Sequence, residues 1–187
     1  ADYGLGMIHI NGEYAESVFP EGPKNNEVFF LTANNGDLWL APGGRSDSWN
    51  NTWQPPEIEL LREGRWSSFS KDNFPELDGF FDIVSIVVDP ADPEHFFAGS
   101  WGGGILEFRG NELIKRYTDK NSPLQSALPN QPDEPYVRIG GLDYDSEGNL
   151  WITNSEVTQN LHMISPAGEW KSFVLPEIAK VKSIGPL

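Results

Sequence analysis

The 187-residue chain contains no cysteine. This absence excludes disulfide bonds, cysteine-ligated zinc and thiol catalysis, and it is compatible both with the cytosol and with a cysteine-poor protein of the bacterial envelope. The three histidines, His9, His95 and His162, lack the spacing of a metal-binding pair, and no Gly-x-Ser-x-Gly nucleophile motif occurs. The sequence therefore predicts a protein that is not an enzyme and that carries no metal or cofactor.

Basic residues are scarce. Thirteen Lys and Arg stand against 28 Asp and Glu, which gives a formal net charge of −15. A charge of this sign opposes binding to a polyanion unless basic residues cluster locally. Lys115 and Arg116 form the one adjacent basic pair in the sequence, which is typical of a solvated strand face. Nucleic acid is therefore not expected as a partner.

Long apolar runs and helical periodicity are also absent. No stretch approaches the roughly 20 apolar residues of a membrane span, so no transmembrane segment is predicted. Residues 1–4 lack the basic start and apolar middle of a signal peptide, so in an exported parent protein this span would follow the signal. The chain is instead 12% aromatic, with 19 Gly and 15 Pro. This composition favours strands and turns, and we expect almost no helix.

The clearest local pattern is a strand–turn–strand unit at residues 140–154. Leu142 and Tyr144 alternate with polar residues, 145–149 supply turn chemistry, and a second apolar run starts at Leu150. The acidic turn resembles a calcium loop, but its last ligand position is Asn154 rather than glutamate, which favours a hairpin. Similar patterns predict strands near 7–10, 13–19, 28–31, 38–41, 57–61, 66–69, 83–88, 96–99, 105–108, 113–117, 139–144, 150–153, 161–164, 170–173 and 181–184.

These strands group into repeats. Turn glycines at 12, 64, 110 and 168 recur at intervals of roughly 50 residues, as β-propeller blades do. The predicted fold is all-β, a β-propeller segment of four-stranded antiparallel blades, with a sandwich as the alternative. The boundaries are a partial blade at 1–22, blades at 23–70, 80–118 and 136–175, and the start of another at 178–187. Such an arc, cut from a longer multi-domain chain, would expose strand edges open to self-association.

Two sequence motifs carry a family resemblance. Residues 145–152 resemble the core of the two-component-regulator propeller repeat. Residues 97–108, 121–124 and 168–173, in that order, resemble the propeller region of PorZ-like proteins of type IX secretion in Bacteroidetes. The resemblance spans most of residues 96–187, while the first ninety residues match only a generic blade. It implies an exported periplasmic or cell-surface protein whose propellers recognise lipopolysaccharide during cargo attachment, or, in related sensor kinases, sense glycans. It supplies no catalytic residue.

The long loops of such a fold are expected to gather on one face, at 42–56, 70–82, 100–104, 118–138 and 155–160, where function usually lies. Within the first loop, two tryptophans alternate with amide and charged side chains, a mixture that suits a sugar ring and its hydroxyl rim. Trp101, followed by three glycines, is a further candidate. The predicted ligand-binding residues are Arg45, Asp47, Trp49, Asn51, Trp53, Gln54 and Trp101.

The competing interpretation is that Trp49 and Trp53 fold back to cover the blade, as the strand residues Trp39, Trp66, Trp151 and Trp170 are expected to do. The sequence thus predicts a recognition module for a surface glycan, for lipopolysaccharide or for a secretion partner. The alternatives are the extracytoplasmic sensor propeller of a hybrid two-component system and a purely structural protein-docking scaffold.

Overall fold

The computed structural model describes residues 7–18, 22–25, 27–131, 133 and 136–185. Over these ranges the chain forms β-strands and two short 3-10 helices, with no α-helix. The all-β prediction is therefore confirmed. Residues 1–4 and the predicted strand end at residue 19 lie outside the described residues.

Fourteen strands are present in the described part of the chain. Their bounds are β1 Met7–Asn11, β2 Tyr14–Val18, β3 Phe30–Asn34, β4 Asp37–Ala41, β5 Glu57–Arg62, β6 Arg65–Ser70, β7 Ile83–Asp89, β8 Asp92–Gly102, β9 Gly104–Arg109, β10 Glu112–Tyr117, β11 Val137–Tyr144, β12 Leu150–Asn154, β13 Leu161–Ile164 and β14 Trp170–Phe173. The 3-10 helices are Pro75–Leu77 and Pro176–Ile178.

Consecutive strands pair antiparallel in three sheets. The β1–β2 hairpin is a two-stranded sheet, β3 to β6 form a four-stranded sheet, and β7 to β14 share an eight-stranded sheet. Within the last, β7–β10 and β11–β14 are separate meanders, joined where β8 pairs with β11 at Arg138↔Trp101 and Val137↔Gly102. We call β3–β6, β7–β10 and β11–β14 the first, second and third units. The arrangement is propeller-like, with one unit in the four-stranded sheet and two units in the eight-stranded sheet.

Two hydrophobic cores lie between successive units. In the first, Trp39 of β4 packs on Phe96 of β8 with ring centroids 4.5 Å apart, and Phe96 stacks on Phe108 at 4.9 Å. In the second, Phe97 of β8 meets Ile139 and Ile152 of the third unit. Neighbouring residues of a strand point to opposite faces, so Phe96 and Phe97 serve different cores. The second unit is therefore apolar on both faces, which explains its nearly continuous apolar strands.

The Asp145 hairpin in the third unit closes as its turn residues predict. The Asp145 carboxylate accepts hydrogen bonds from the backbone N–H groups of Glu147 and Asn149 and from Trp151 Nε1. Hydrogen bonds from the Asn149 side chain and from Trp151 lower the pKa of Asp145 to about 2. The acceptor oxygens of this carboxylate are thus occupied by hydrogen bonds within the hairpin.

Two sequence predictions need correction. The predicted strand 96–99 is the middle of an 11-residue strand, Asp92–Gly102, because the turn before it is only two residues long and Asp89 pairs with Asp92. Trp101 therefore lies on a strand. The predicted strand 181–184 does not form. The carbonyls of Val181 and Ile184 instead accept hydrogen bonds from Glu156 N–H and Ser155 Oγ of the preceding loop.

Candidate functional site

A buried carboxylate holds the first long loop in place. Asp82, just before β7, is 0% exposed. Its carboxylate accepts hydrogen bonds from the backbone N–H groups of Thr52, Trp53 and Gln54 at 3.0, 3.0 and 2.9 Å. It also accepts one from Thr52 Oγ1 at 2.7 Å and one from Asn51 Nδ2 at 3.1 Å. This single side chain thereby ties the loop of the first unit to the second unit.

The same loop reaches the third unit through Asn51. Its amide nitrogen also donates to the Trp101 carbonyl, and its amide oxygen accepts hydrogen bonds from Tyr136 Oη and, at 3.0 Å, from Arg138 Nη2. Arg138 is buried, and its Nη1 pairs with the Glu156 carboxylate. The loop therefore bridges all three units. The loops at 42–56, 70–82, 118–138 and 155–160 therefore meet on one face, which we call the loop face. The predicted loop 100–104 is instead a tight turn, because β8 ends at Gly102 and β9 begins at Gly104.

Beneath this loop, Trp101 is 0% exposed, and its Nε1 donates to the Trp49 carbonyl at 3.0 Å. The Arg45 guanidinium lies 4.0 Å from the Trp49 ring centroid and 5.0 Å from that of Trp101. Burial lowers the pKa of Arg45. The glycines after Trp101 allow close packing of side chains, since a Cβ at Gly102 would overlap the ring of Phe81. Trp101 is thus a supporting residue with no surface to offer a ligand.

Trp53 has the opposite environment. Its side chain is 65% exposed and packs on Phe81, with ring centroids 4.7 Å apart, near Tyr136 at 6.4 Å. These three rings line an open cleft of about 490 Å³, together with Arg138 and Lys182 among others. The volume lies within the range of small-molecule sites. The cleft combines aromatic surface with charged and hydroxyl groups.

Backbone strain concentrates on the loop face. Trp53 has φ +61°, a left-handed conformation that is unusual for a bulky residue. Among the non-glycine residues with positive φ in the described chain, Trp49, Asp82, Glu156 and Lys180 also lie here, whereas Asn35 and Glu63 lie in hairpin turns. Strained residues of this kind cluster at functional sites. An exposed ring on a strained backbone is difficult to explain by packing alone.

The other predicted residues differ in position. Asn51 is engaged in the hydrogen bonds described above, and Gln54 is half-buried and bound through its backbone to Asp82. Arg45 and Trp49 are half-buried over Trp101, and Asp47 is exposed at the loop tip. The structure brings Trp53 together with Phe81, Tyr136, Arg138 and Lys182, which sequence reasoning missed. The signal for Phe81, Tyr136 and Arg138 was their position at the ends of predicted loops. Lys182 gave no such signal, because it lay in the predicted strand 181–184. Ligand contact by any of them stays a prediction.

A second polar cluster lies at the opposite, hairpin side, between the second and third units. His95 Nδ1 is 3.0 Å from Asp89 Oδ2, and its Nε2 is 2.9 Å from Glu107 Oε1, while Tyr117 Oη donates to Glu107 at 2.7 Å. The hydrogen bond with Glu107 is the main reason that the pKa of His95 is raised, against a lowering by burial. Both carboxylate oxygens of Glu107 therefore have hydrogen-bond partners within the cluster.

Within the described ranges, no group of three or more His, Asp or Glu side chains has the geometry to hold a metal ion. No helix in the described part of the chain is long and apolar enough to cross a membrane.

Fold and site together define a propeller-like segment with an aromatic cleft on its loop face. A similar solved structure is PorZ, a surface component of the type IX secretion system of Porphyromonas gingivalis, with a TM-score of 0.76 and 31% identity over 90% of this chain. The chain spans only 23% of PorZ. This similarity supports the propeller class.

Two more distant structures were also found. Virginiamycin B lyase from Staphylococcus aureus has a TM-score of 0.56 and 15% identity, covering 90% of this chain and 48% of the lyase, and it shares the fold alone. The extracellular domain of a suggested one-component system from B. thetaiotaomicron has a TM-score of 0.47 and 11% identity, covering 92% and 20%, which is too distant to carry an argument. No protein-family model and no curated protein matches the chain.

Proposed function

We propose that this chain is a propeller segment of an exported bacterial protein, at the periplasm or cell surface, and acts as a non-catalytic recognition module. Its ligand is a surface glycan or lipopolysaccharide, with a secretion-system protein as the alternative partner. The similarity to PorZ over 90% of the chain supports the setting. The observation that carries the proposal is the exposed, strained Trp53 at the mouth of an aromatic cleft.

The cleft suits a sugar by its chemistry. A pyranose ring has an apolar C–H face that stacks on an indole ring, and its rim of hydroxyls needs polar partners. Trp53 and Phe81 supply the apolar surface, and the Lys182 ammonium supplies a donor at the cleft wall. Tyr136 and Arg138 also line the cleft, but their polar groups are hydrogen-bonded to each other and to Asn51. The alternative is a sensor or docking propeller, in which the same rings would bury against a protein.

We further propose that each unit is one blade, with boundaries at 23–70, 80–118 and 136–175, and that residues 1–22 and 178–187 belong to neighbouring blades. The eight-stranded sheet then consists of two blades joined by the short pairing of β8 with β11. Self-association through exposed strand edges is a corollary, which sedimentation over a range of protein concentrations would test.

Replacing Trp53 with glycine is expected to weaken ligand binding while keeping the fold. Loss of a central aromatic contact weakens binding by about 2 kcal/mol, roughly 30-fold in affinity. Glycine adopts φ +61° without strain, so the thermal midpoint should stay close to that of the wild type. Saturation-transfer NMR against lipopolysaccharide O-chains and soluble polysaccharides measures the binding.

Glu63→Gly is the matched control, because Glu63 has φ +50° in a hairpin turn and does not line the cleft. It should bind as the wild type does. Unchanged saturation transfer in Trp53→Gly would contradict the assignment of the site. A folded wild-type chain that gives no transfer to any glycan would instead favour docking of a protein.

A further inference from the structure

A second cavity adjoins the cleft at Trp53. This neighbouring cavity has about 440 Å³, and its lining includes the polar side chains of Lys120, Thr158 and Lys180 beside apolar ones such as Pro129 and Val157. The two cavities share Leu128 and Glu156 as lining residues. We call the cleft at Trp53 the aromatic lobe and the second cavity the polar lobe. The two lobes therefore adjoin at these side chains, and we treat them together as one groove. They differ in that aromatic rings line the aromatic lobe, whereas among the described residues no aromatic side chain lines the polar lobe.

The chain segment along the groove is held by hydrogen bonds at both ends. Gln125 N–H donates to Asn154 Oδ1 at 2.8 Å, and Ala127 N–H donates to the Tyr136 carbonyl at 2.8 Å. The Gln125 side chain also exchanges two hydrogen bonds with Gln159, at 3.0 and 3.3 Å. Leu128 follows directly after this fixed stretch, so the boundary between the lobes is preformed on this side.

The opposite side of the boundary is equally fixed. Glu156 pairs with the buried Arg138, and its backbone N–H donates to the Val181 carbonyl at 3.0 Å. Lys180 N–H donates to the Val157 carbonyl at 2.9 Å, which positions Lys180 at the polar lobe. A groove with walls fixed before binding avoids part of the ordering cost of complex formation.

We infer that this groove takes the interior of a polysaccharide chain, with one sugar stacked on Trp53 in the aromatic lobe and the following sugars in the polar lobe. The inference rests on the proposed function and specifies its ligand class. Each lobe alone has the volume of a small-molecule site, in the range of about 300–1,000 Å³. A single hexose has about twelve non-hydrogen atoms and cannot use both lobes, so it leaves much of the attainable affinity unused.

The test uses O-chains released by mild acid from Bacteroidetes lipopolysaccharide, partially hydrolysed, and separated into fragments of one, two, three and six sugars. Dissociation constants are measured for the wild type, Trp53→Gly, Lys180→Gly and Glu63→Gly. Lys180 has φ +61° and lines the polar lobe alone, so glycine there removes a polar-lobe side chain without straining the backbone. The two lobe variants and the control thus share one kind of backbone position.

For the wild type and for Glu63→Gly, affinity should rise at least tenfold from one sugar to three. Trp53→Gly should weaken binding of every length, whereas Lys180→Gly should weaken only the longer fragments and flatten the dependence on length. Equal affinity for one and six sugars, with Lys180→Gly indistinguishable from wild type, would overturn the inference and leave glycan recognition intact. No binding of any fragment to the folded wild type would overturn both.

Discussion

Replacing Asp82 with alanine is expected to lower the free energy of unfolding by about 4 kcal/mol, measured by urea denaturation. The carboxylate is completely buried and accepts five hydrogen bonds from loop residues 51–54. Its removal leaves three backbone N–H groups without their acceptor, and each such loss in a buried site is costly. Asp82→Asn should also destabilise the chain, because an amide presents N–H to some of these donors.

The effect should extend to the cleft, since the N–H of Trp53 is one of the donors to Asp82. A variant that still folds should therefore bind glycan more weakly than wild type. Asp47→Ala is the control on the same loop, because Asp47 is exposed, and its stability should stay within about 0.5 kcal/mol of wild type. If Asp82→Ala unfolded at the same urea concentration as Asp47→Ala, the structural role of Asp82 would be refuted.

Acidification from pH 6.5 to pH 4 is expected to cost about 3 kcal/mol of stability through His162. The residue is 0% exposed, its Nδ1 lies 2.9 Å from Ser172 Oγ, and burial lowers its pKa to about 4. The imidazole is therefore neutral in the folded state, whereas in the unfolded chain it takes up a proton below about pH 6.5. In this pH window the unfolded state binds more protons than the folded state. The free energy of unfolding therefore decreases as the pH is lowered from 6.5 to 4, and the contribution of His162 is fully present above this window.

His162→Asn separates this effect from the titration of the many carboxylates. The asparagine amide can keep a hydrogen bond to Ser172 without a titratable group, so its stability curve should be flatter than that of wild type between pH 6.5 and 4. Urea midpoints at half-unit steps of pH measure the slope. Parallel curves for the two proteins would rule out the buried neutral imidazole as the cause.

His95 provides a comparison of opposite sign. Its folded pKa is raised, chiefly by Glu107, so the fold favours its charged form. Its contribution is present below about pH 6.5 and is lost as pH rises through the higher folded-state pKa. His95→Asn should therefore change the stability curve on the alkaline side of pH 6.5, where His162→Asn has no effect on the slope. The two histidines thus act in separate pH windows.

The sequence predicts those parts of the fold whose signals are local. Alternating apolar residues around Leu142 and turn residues at Asp145 place a hairpin correctly, because both patterns act within a few residues. The cleft is different. The sequence places both Trp53 and Trp101 in predicted loops of the same face. In the structure, however, Trp53 is 65% exposed and Trp101 is 0% exposed. Only packing against distant segments decides which ring reaches the surface.

Asp82 illustrates the same limit for polar residues. It is one of 28 acidic residues in the sequence, and although apolar residues at 80–81 and 83–84 flank it, nothing near it identifies its hydrogen-bond partners. Its hydrogen-bond partners lie about thirty positions earlier in the chain, at residues 51–54. Likewise Phe81 and Tyr136 lie in different loops, just before β7 and β11, and become a pair only in the folded chain, with ring centroids 6.3 Å apart. A contact of this kind has no local sequence pattern.

The second unit packs against a neighbouring unit on each of its two faces, and this arrangement determines how the chain unfolds. Phe96 and Leu106 of this unit belong to the first core, while Phe97 and Ile105 belong to the second. Separation of the second unit from either neighbour exposes a complete aromatic or aliphatic face, and its unfolding exposes both cores at once. We therefore expect the three units to unfold as one cooperative block, because opening of the middle unit costs the contacts of both cores, whereas the outer strands can fray separately.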